Sequence, residues 1–510
     1  MIEALKKIRF SSLLIPAGLW LLTLYLFLPV VHFEFLSFDD DLFVSKNPFL
    51  QNGMTWDSIQ WAFCADLTFL TKHADFWQPV TFLSHLLDVE LWGMNAGAHH
   101  FSNILYHSFN VLLVHALIRR FGFSIGYALM GATIFSFHPL QVETVTWIVA
   151  RKHLLGAFWA LASVHMYLSY AREKKNAFYL LSLLFFLLSL LSKPNAIVLP
   201  GILFFLDFCS LGRWGIVSFK KIFFEKIPYA IFSLLSAATP ILPFWALEKG
   251  VRKDVAYAAH DVILTNVSAA PFIQLGKFFL LRPLGMNRSV SLNTQADLTM
   301  MLLHFALLLA TLWLAFCFHR KQKKMLTLGW CWFLLFLIPT LSLRWTADRF
   351  MYLPIIGLIV FFMSVMRDMN LTFKMKPIYP ILLSVVILFS LGLVTRVYLK
   401  DWRNDFTFFN AGLKRNPDSY IFRSSLGTAY ANAGYPYDAM LHFDLALKIQ
   451  DTDPVLYNNY GVVLEALGRF EEANEMYKKA LALFPEYHSA KENTVRLKAE
   501  LDRLISKGVN

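Results

Sequence analysis

Long apolar runs recur along this chain and constrain its fold more than any other feature. The first run, SLLIPAGLWLLTLYLFLPVV at residues 12–31, has the length of about 20 residues that a helix needs to cross a bilayer. Hydrophobic residues make up 57% of the sequence and charged residues only 16%, which excludes an ordinary soluble domain. We therefore predict an all-α fold that begins with a polytopic membrane helical bundle of about eleven spans. The predicted spans are 12–31, 101–118, 124–139, 154–170, 177–192, 195–208, 228–246, 298–318, 326–343, 351–366 and 378–397.

The distribution of lysine and arginine predicts the orientation of the bundle. Lys6, Lys7 and Arg9 precede the first run and place the N-terminus in the cytoplasm by the positive-inside rule. No small-residue cleavage site follows that run, so we interpret it as a retained span rather than a signal peptide. The formal net charge of +12 is therefore mostly a topology signal, and nucleic-acid binding is not expected. The other basic clusters of the cytoplasmic side are 119–120, 172–175, 213–226, 320–324 and 367–376.

An odd number of spans places the C-terminal part of the chain outside the cytoplasm. Residues 255–283 contain His260, Asp261 and Lys277, and a full span there would break the alternation of charged loops. We interpret this stretch as an amphipathic or re-entrant segment on the outer face. The four cysteines imply no disulfide framework, because only Cys64 falls in an outer loop.

The last hundred residues change character and repeat themselves. From about residue 402 the apolar runs stop, and small and aromatic residues recur with a period of 34, which is typical of tetratricopeptide repeats. We divide the chain into a membrane domain, 1–400, and an extracytoplasmic α-solenoid, 401–510. The repeats are either a structural cap or a groove for an extended peptide or partner protein. The matching pairs are Gly427 and Gly461, Ala439 and Ala473, Phe443 and Tyr477, and Ala446 and Ala480.

A cluster of acid follows the first span. Residues 37–48 read SFDDDLFVSKNP and open the first outer loop, 32–100. A solvated loop needs no function to be acidic. However, like charges close to a bilayer raise one another's pKa, so Asp39, Asp40 and Asp41 are also candidates for catalysis or metal binding.

The acidic stretch and four later segments resemble the transmembrane and tetratricopeptide-repeat mannosyltransferases and their bacterial relatives. FDDDLFVSKNP is similar to the family's Asp-Asp motif with a following Asn-Pro. Two departures stand out: Gln78 occupies a position where relatives usually have His or Arg, and Asn195 replaces a commoner Met. The other similar segments, in order, are FWQPVTFLSHLLDVELWGMNAGAHHFSNILYHSFN, HPLQVETVTWIVARKHLLGAFW, LLSKPNAIVLPGILFFLDF and TADRFMYLPIIGL.

The resemblance implies a GT-C fold glycosyltransferase in a bacterial inner membrane. Such an enzyme transfers a sugar with inversion from a polyprenyl-phosphate carrier to an acceptor on the extracytoplasmic side. An inverting transfer needs a carboxylate that accepts the proton of the incoming hydroxyl. By analogy with related enzymes we expect Asp39 to be this base and Asp40 to orient the base or the acceptor, with Asp41 a solvated neighbour.

The leaving phosphate predicted by the resemblance requires cations. Arg151 and Lys152 lie in the second outer loop, 138–153, where positive charge is otherwise scarce. Arg151 suits bidentate binding of phosphate oxygens and Lys152 adds a point charge. The alternative is that both contact lipid headgroups. Arg349, in TADRFMY, is a third candidate for donor phosphate, against a structural ion pair with Asp348.

His138 and Glu143 are predicted to support the site. Both lie in HPLQVE, and a helix that begins after Pro139 would allow both side chains to face one site. Alternatively, His138 caps a span and Glu143 pairs with Arg151.

A divalent metal is a further open question. Oxygen-rich ligands would suit Mg or Mn, which some GT-C enzymes use, but the sequence shows no tight ligand spacing and we assign no metal site. The ligands considered are Asp39, Asp40, His99, His100, His138 and Glu143.

Three functions compete at this point. The first is transfer of a monosaccharide, mannose by family analogy, to protein Ser or Thr, with the acceptor protein bound by the repeats. The second is the same chemistry on a glycolipid or polysaccharide acceptor. The third is a non-catalytic membrane scaffold whose repeats recruit partner proteins. An inactive scaffold has no reason to retain both an outer Asp pair and cations that break the charge rule, which favours an enzyme.

Overall fold

The chain folds into helices that form two compact units. The structure, a computed structural model, describes residues 11–64, 77–239, 271–281, 306, 313, 323–340, 347–373, 376 and 378–506. In these ranges the regular secondary structure is helical, which confirms the all-α prediction. The first unit comprises Met1–Phe35 with Asp40–Lys400, and the second comprises Leu36–Asp39 with Asp401–Asn510. The functions assigned to 1–400 and 401–510 from the sequence stay predictions.

In its described ranges the first unit is a bundle of apolar helices. Its described helices are α1 (Ser11–Phe27), α2 (Trp56–Cys64), α3 (Pro79–Trp92), α4 (Ala96–Arg120), α5 (Ile125–Phe137), α6 (Val142–Thr146), α7 (Arg151–Glu173), α8 (Asn176–Ser192), α9 (Leu199–Cys209), α10 (Phe219–Phe224), α11 (Ile227–Ala238), α12 (271–280), α13 (Lys324–Leu337), α14 (Pro354–Phe373) and α15 (Ile378–Leu399).

Three stretches of the described chain are helical, long and apolar enough to cross a membrane: Leu14–His32, Ala96–Arg120 and Ile148–Glu173. Shorter apolar helices accompany them, and the chain is a membrane protein. The count of about eleven spans, the orientation and the identity of the membrane stay predictions. Span 298–318 falls outside the described residues except for 306 and 313, as do 240–246, 341–343 and most of the segment 255–283.

Large apolar side chains remain exposed along several of these helices. On α15 they include Val386 at 60% and Phe389 at 66% exposure, and on α1 Leu21 at 59%. Apolar surface of this extent does not face water in a stable monomer. It is the surface that a bilayer covers.

Two glycines let α13 and α14 cross at very short range. A Cβ on Gly329 would lie 2.6 Å from the carbonyl oxygen of Gly357, and a Cβ on Gly357 would lie 2.4 Å from that of Gly329. Only residues without a side chain permit this approach. The contact fixes the start of α14, and with it the preceding 3₁₀ turn Asp348–Met351.

Several helices are preceded or interrupted by short 3₁₀ turns, and proline explains two of them. Pro139 and Pro194 open the turns Pro139–Gln141 and Pro194–Val198, where the missing N–H costs no hydrogen bond. A further turn, Ile148–Ala150, leads directly into α7. Asn195 lies in the turn Pro194–Val198 and Arg349 in the turn Asp348–Met351, while His138, Arg151 and Lys193 directly adjoin turns of this kind.

The second unit is a helical array with the predicted repeat. Gly461 packs against Tyr477, where an added Cβ would lie 2.5 Å from Cε1, and Gly427 packs in the same way against Phe443. The glycines of the repeat therefore leave the space that the aromatic ring of the neighbouring helix occupies. The helices are α16 (Asp405–Arg415), α17 (Tyr420–Asn432), α18 (Pro436–Ile449), α19 (Pro454–Ala466), α20 (Phe470–Leu483) and α21 (His488–Ser506).

Candidate active site

The three aspartates of the acidic stretch have three different environments. Asp39 is half-buried and has a φ of 70°, a left-handed conformation that aspartate tolerates better than most residues. Asp40 is fully buried, and its Oδ1 accepts the Val149 N–H at 3.1 Å. Asp41 accepts Ser45 Oγ at 2.8 Å and Lys46 Nζ at 2.6 Å. The adjacent carboxylates are therefore not interchangeable.

Asp40 lies where the chain enters α7. Val149 belongs to the 3₁₀ turn Ile148–Ala150, and α7 begins at Arg151. The backbone N–H groups at a helix start carry partial positive charge, which favours a carboxylate there. Asn103 on α4 fixes the same turn, because its Nδ2 donates to the Trp147 carbonyl at 3.1 Å. The Asp40 carboxylate is thus held in place by rigid elements.

Arg151 is enclosed by protein. It is fully buried, and its Nε donates to Asn103 Oδ1 at 2.8 Å. Its terminal nitrogens donate to the Ser84 and His99 carbonyls at 3.1 and 2.7 Å, and one lies 2.5 Å from Asp88 Oδ2. These bonds use all three guanidinium nitrogens. The assignment of Arg151 to donor phosphate stays a prediction, but its observed contacts are those of a structural residue.

A buried cluster surrounds this guanidinium. Asp88 also accepts from Ser102 Oγ at 2.7 Å and lies 3.0 Å from His99 Nδ1, while His85 Nδ1 lies 3.2 Å from His99 Nδ1. Burial lowers the pKa of His85 well below 6.5, and the charge of Arg151 lowers it further. Burial raises the pKa of Asp88, but Arg151 and His99 outweigh it and bring that pKa below 3.8.

The same cluster is the only group of potential metal ligands found among the described residues. Ligand atoms of His85, Asp88 and His99 lie within 4.8 Å of one another. The Arg151 guanidinium already balances the charge of the Asp88 carboxylate from 2.5 Å, so the arrangement does not fit a divalent cation. Of the ligands considered from the sequence, only His99 belongs to this cluster.

Glu143 and Arg349 form a buried clamp that joins two distant turns. Glu143 Oε2 accepts the backbone N–H groups of Asp348 and Arg349 at 2.8 and 3.2 Å, and Oε1 pairs with the Arg349 guanidinium. Glu143 is only 3% exposed. The alternative pairing of Glu143 with Arg151 is wrong, because Arg349 takes that place. The guanidinium also lies 5.0 Å from the centre of the Trp147 ring.

Asp348 pairs with Lys277, whose Nζ lies 2.8 Å from Asp348 Oδ1. The ion pair between Asp348 and Arg349 that the sequence suggested stays a prediction. His138 accepts the Leu140 N–H at Nδ1 (3.2 Å), and its Nε2 lies 3.0 Å from the Phe278 carbonyl oxygen. His138 thus caps the turn Pro139–Gln141, which is the structural alternative considered for it. Its supporting role in a site stays a prediction.

A pocket with three cationic side chains lies beside the start of α7. Lys152, Lys193 and Arg349 line it together with His153 and Asn195. Lys152 Nζ also lies 5.2 Å from the centre of the Phe43 ring, three residues after Asp40. Positive groups from three separate elements therefore converge on this pocket, and one of them, Lys152, also lies beside Phe43. The remaining wall is formed by Gly156, Ala157, Ala196, Phe336, Phe350, Tyr352, Leu353 and Pro354.

Sequence reasoning assigned no role to Lys193, His153, Asn195 or Asp88. Its position could have identified Lys193 as a candidate site residue, because a cation at a predicted outer edge of the membrane departs from the positive-inside rule. Asp88 and His85 are three residues apart and so share a face of α3, as a helix allows. Nothing local indicates that this face meets a buried arginine 63 positions later.

Comparison with known proteins supports the resemblance that the motifs predict. Residues 454–487 match the tetratricopeptide repeat family model. The chain is 25% identical over 464 residues to human Protein O-mannosyl-transferase TMTC3, an alignment that covers 82% of this chain and 50% of the human protein. It is 24% identical over 469 residues to human TMTC4, which covers 80% and 62%. A shorter match to Drosophila melanogaster Protein O-mannosyl-transferase Tmtc3 is 28% identical over 181 residues, 33% of this chain and 19% of the fly protein.

The chain is therefore TMTC-like along most of its length, and the predicted resemblance is confirmed. It spans about half the length of human TMTC3. The activity, substrates and partners of the whole relatives do not transfer automatically to a chain that covers only part of them.

Proposed function

We propose, from the similarity of this chain to protein O-mannosyl-transferases, that it is an inverting GT-C type glycosyltransferase. It transfers a monosaccharide, mannose by analogy, from a polyprenyl-phosphate carrier to a Ser or Thr hydroxyl of a protein on the extracytoplasmic face. The observation that carries the proposal is that both charges lie at the start of α7: the buried Asp40 carboxylate binds the Val149 N–H just before this helix, and Lys152 in its first turn lines the cationic pocket. The proposed reaction requires a carboxylate that accepts the acceptor's proton and cations that bind the leaving phosphate.

The reaction breaks one bond and forms another at the anomeric carbon. The acceptor oxygen attacks that carbon while its proton passes to a carboxylate, and the carbon–oxygen bond to phosphate breaks with the electron pair leaving on the polyprenyl phosphate. Asp39 is the proposed base, since it is half-buried, whereas the Asp40 carboxylate is fully buried and holds the Val149 N–H. Asp40 is the proposed orienting residue.

The leaving phosphate is the proposed ligand of the cationic pocket. Lys152 and Arg349 line it, and negative charge on the phosphate grows as the bond to the sugar breaks. Preorganised cations stabilise such developing charge better than water does. Arg151 acts through position, because its four contacts tie α7 to the Asp88 cluster.

The repeat unit is the proposed binding surface for the acceptor protein. Tetratricopeptide repeats are extended arrays whose helices offer a continuous face to a partner chain. Three alternate helices here, α17, α19 and α21, carry a polar row in which Asn493 donates to Asn458 at 2.9 Å and Asn459 donates to Thr428 at 3.4 Å. Side-chain amides of this kind suit the N–H and C=O groups of an extended peptide.

The test is sugar transfer by the chain reconstituted in liposomes. Labelled polyprenyl-phosphate mannose is supplied with a Ser/Thr-rich acceptor polypeptide, and wild type is compared with Asp39→Asn and Asp40→Asn. We expect Asp39→Asn to lose about 10²–10⁴ in rate, which is what a general base contributes. Asp41→Asn is the matched control, because Asp41 is already bound to Ser45 and Lys46 and should be dispensable.

Two outcomes contradict the proposal at different points. If wild type transfers no label to protein but labels lipid or polysaccharide, the acceptor class is wrong. If Asp39→Asn keeps full activity, Asp39 is not the base. A chelator added to wild type in the same assay measures whether Mg or Mn is required.

A further inference from the structure

The cationic pocket contains a histidine, His153, whose Nε2 has no hydrogen-bond partner in the part of the chain that the structure describes. His153 occupies the first turn of α7 and is 4% exposed. Its Nδ1 lies 3.1 Å from Asn195 Nδ2, whereas its Nε2 has no hydrogen-bond partner among the described residues. A buried polar nitrogen without a partner is costly, so its presence points to a ligand atom.

The contact with Asn195 decides where the ring carries its proton. An amide nitrogen only donates, so Nδ1 of His153 must accept, and the proton of the neutral imidazole sits on Nε2. The ring therefore presents an N–H donor. A donor requires an acceptor, and the other polar groups of this pocket include three cations, which accept nothing.

The geometry around His153 is rigid. Asn195 belongs to the turn Pro194–Val198, and its N–H donates to the Lys193 carbonyl at 2.8 Å. Gly156, one turn further along α7, packs against the same segment, since a Cβ there would be in van der Waals contact with Lys193 Cβ at 3.6 Å. Lys193 and Asn195 are therefore presented to the first turn of α7 by one fixed segment.

We propose that Nε2–H of His153 and the ammonium of Lys193 bind the phosphate group of a polyprenyl phosphate, and that Asn195 is a positioning residue that holds the histidine tautomer. This deepens the proposed function and rests on it for the identity of the carrier. A tetrahedral oxyanion offers acceptors in several directions and so satisfies donors that come from several elements. Phe336, Leu353 and Pro354 in the same lining suit an isoprenoid chain.

Binding is tested with the full chain in nanodiscs, separately from transfer. The probes are polyprenyl phosphate without sugar, uncharged polyprenol and inorganic phosphate, and the readouts are the thermal midpoint and the dissociation constant. We expect wild type to bind polyprenyl phosphate and not polyprenol. His153→Phe should weaken this binding about 10-fold or more, as loss of a hydrogen bond to a charged group does.

Matched variants separate a ligand contact from a packing effect. His153→Gln places an amide N–H near the position of Nε2 and should keep binding within about threefold of wild type. His165→Phe is the control on the same helix, because His165 Nε2 already has a partner in the Leu113 carbonyl at 3.0 Å. Lys193→Met should weaken binding, while Lys193→Arg should retain most of it.

The role of Asn195 has its own spectroscopic signature. With histidine labelled in both ring nitrogens, nitrogen NMR should place the proton of His153 on Nε2 in wild type. Asn195→Leu should lose this preference and weaken polyprenyl phosphate binding, which a purely structural asparagine would not do. The resonance is assigned by its disappearance in His153→Gln.

The failures of the two proposals are distinguishable. Wild type that binds polyprenyl phosphate but transfers no sugar refutes the proposed function and leaves the phosphate site intact. Equal binding by His153→Phe and wild type overturns the assignment of His153. Equal stabilisation by inorganic phosphate and polyprenyl phosphate overturns the lipid carrier and identifies a site for free phosphate.

Discussion

Replacement of Glu143 by glutamine is the sharpest test of how the pocket is built. The two Glu143 oxygens serve three donors: the backbone N–H groups of Asp348 and Arg349, and the Arg349 guanidinium. Glutamine has one acceptor oxygen, so its amide nitrogen must face either the two backbone N–H groups or the guanidinium. Either orientation places donor against donor in a buried site.

The magnitude follows from burial of the pair. Glu143 is 3% exposed and Arg349 9% exposed, and removing one partner of a buried ion pair costs about 3–5 kcal/mol. Arg349 also lines the cationic pocket. A displacement of about 1 Å in a positioning residue reduces a rate about 10²-fold, so Glu143→Gln should lower both stability and transfer.

Glu225→Gln is the control that separates these two effects. Glu225 makes a bidentate pair with Arg213 at 2.8 and 2.9 Å, so its loss also breaks a buried pair. It contacts Tyr167, which lies 14 residues beyond His153 on α7, roughly 21 Å along the helix axis. We expect Glu225→Gln to lose stability by an amount at the lower end of the same range of about 3–5 kcal/mol, because Arg213 still pairs with Asp207. At a temperature where this variant is folded, we expect it to transfer sugar at the wild-type rate.

Thermal midpoints from tryptophan fluorescence and transfer rates in nanodiscs measure both quantities on the same samples. The reasoning fails if Glu143→Gln melts like wild type, because the pair then contributes no stability. It also fails if Glu143→Gln loses stability but transfers as fast as Glu225→Gln, because the clamp then positions nothing in the pocket.

Two further predictions concern stability. Gly461→Ala should destabilise the repeat unit by about 1–2 kcal/mol, because the added Cβ would lie 2.5 Å from the buried Tyr477 ring and this clash outweighs the gain in helix propensity. Hydrogen exchange of the repeat helices measures the loss. Gly276→Ala is the control, because a Cβ added there meets no atom of the described residues within 4 Å. Asp88→Asn should cost about 3–5 kcal/mol by leaving the buried Arg151 unpaired, seen as a lower thermal midpoint. Since the pKa of Asp88 is lowered in the folded chain, its contribution is present above about pH 3.8 and is lost as pH falls below that value, so the difference between Asp88→Asn and wild type should shrink in acid.

Helix positions in the membrane unit followed from hydropathy because a helix is the simplest way to pair backbone polar groups in lipid. The predicted span 177–192 corresponds to α8 at Asn176–Ser192, and 378–397 to α15 at Ile378–Leu399. In the repeats, the spacing of Gly427 and Gly461 predicted helix contacts that the ring packing now explains. In each case the sequence pattern that predicts a helix lies within the residues of that helix.

The pairings of the site were not predictable in this way, because they join residues that are far apart in sequence. Glu143 and Arg349 are 206 positions apart, and Arg151 and Asn103 are 48 apart. A local pattern shows that a charge breaks the topology rule, but it does not show which opposite charge lies beside it. The alternative that pairs Glu143 with Arg151 rests on their nearness in sequence, whereas the structure pairs Glu143 with Arg349.

Helix geometry explains why three consecutive polar residues at the start of α7 serve different purposes. Successive side chains on a helix are about 100° apart, so Arg151, Lys152 and His153 cannot all have the same surroundings. Arg151 points into the Asp88 cluster, Lys152 packs over Phe43, and His153 meets Asn195. The basic motif is thus a junction: one residue anchors the helix in the protein, and the next two line the pocket. The hydrogen bonds and the ion pair of Arg151 are all with protein groups, which is why we propose the residues that follow it, Lys152 and His153, as ligands of a phosphate.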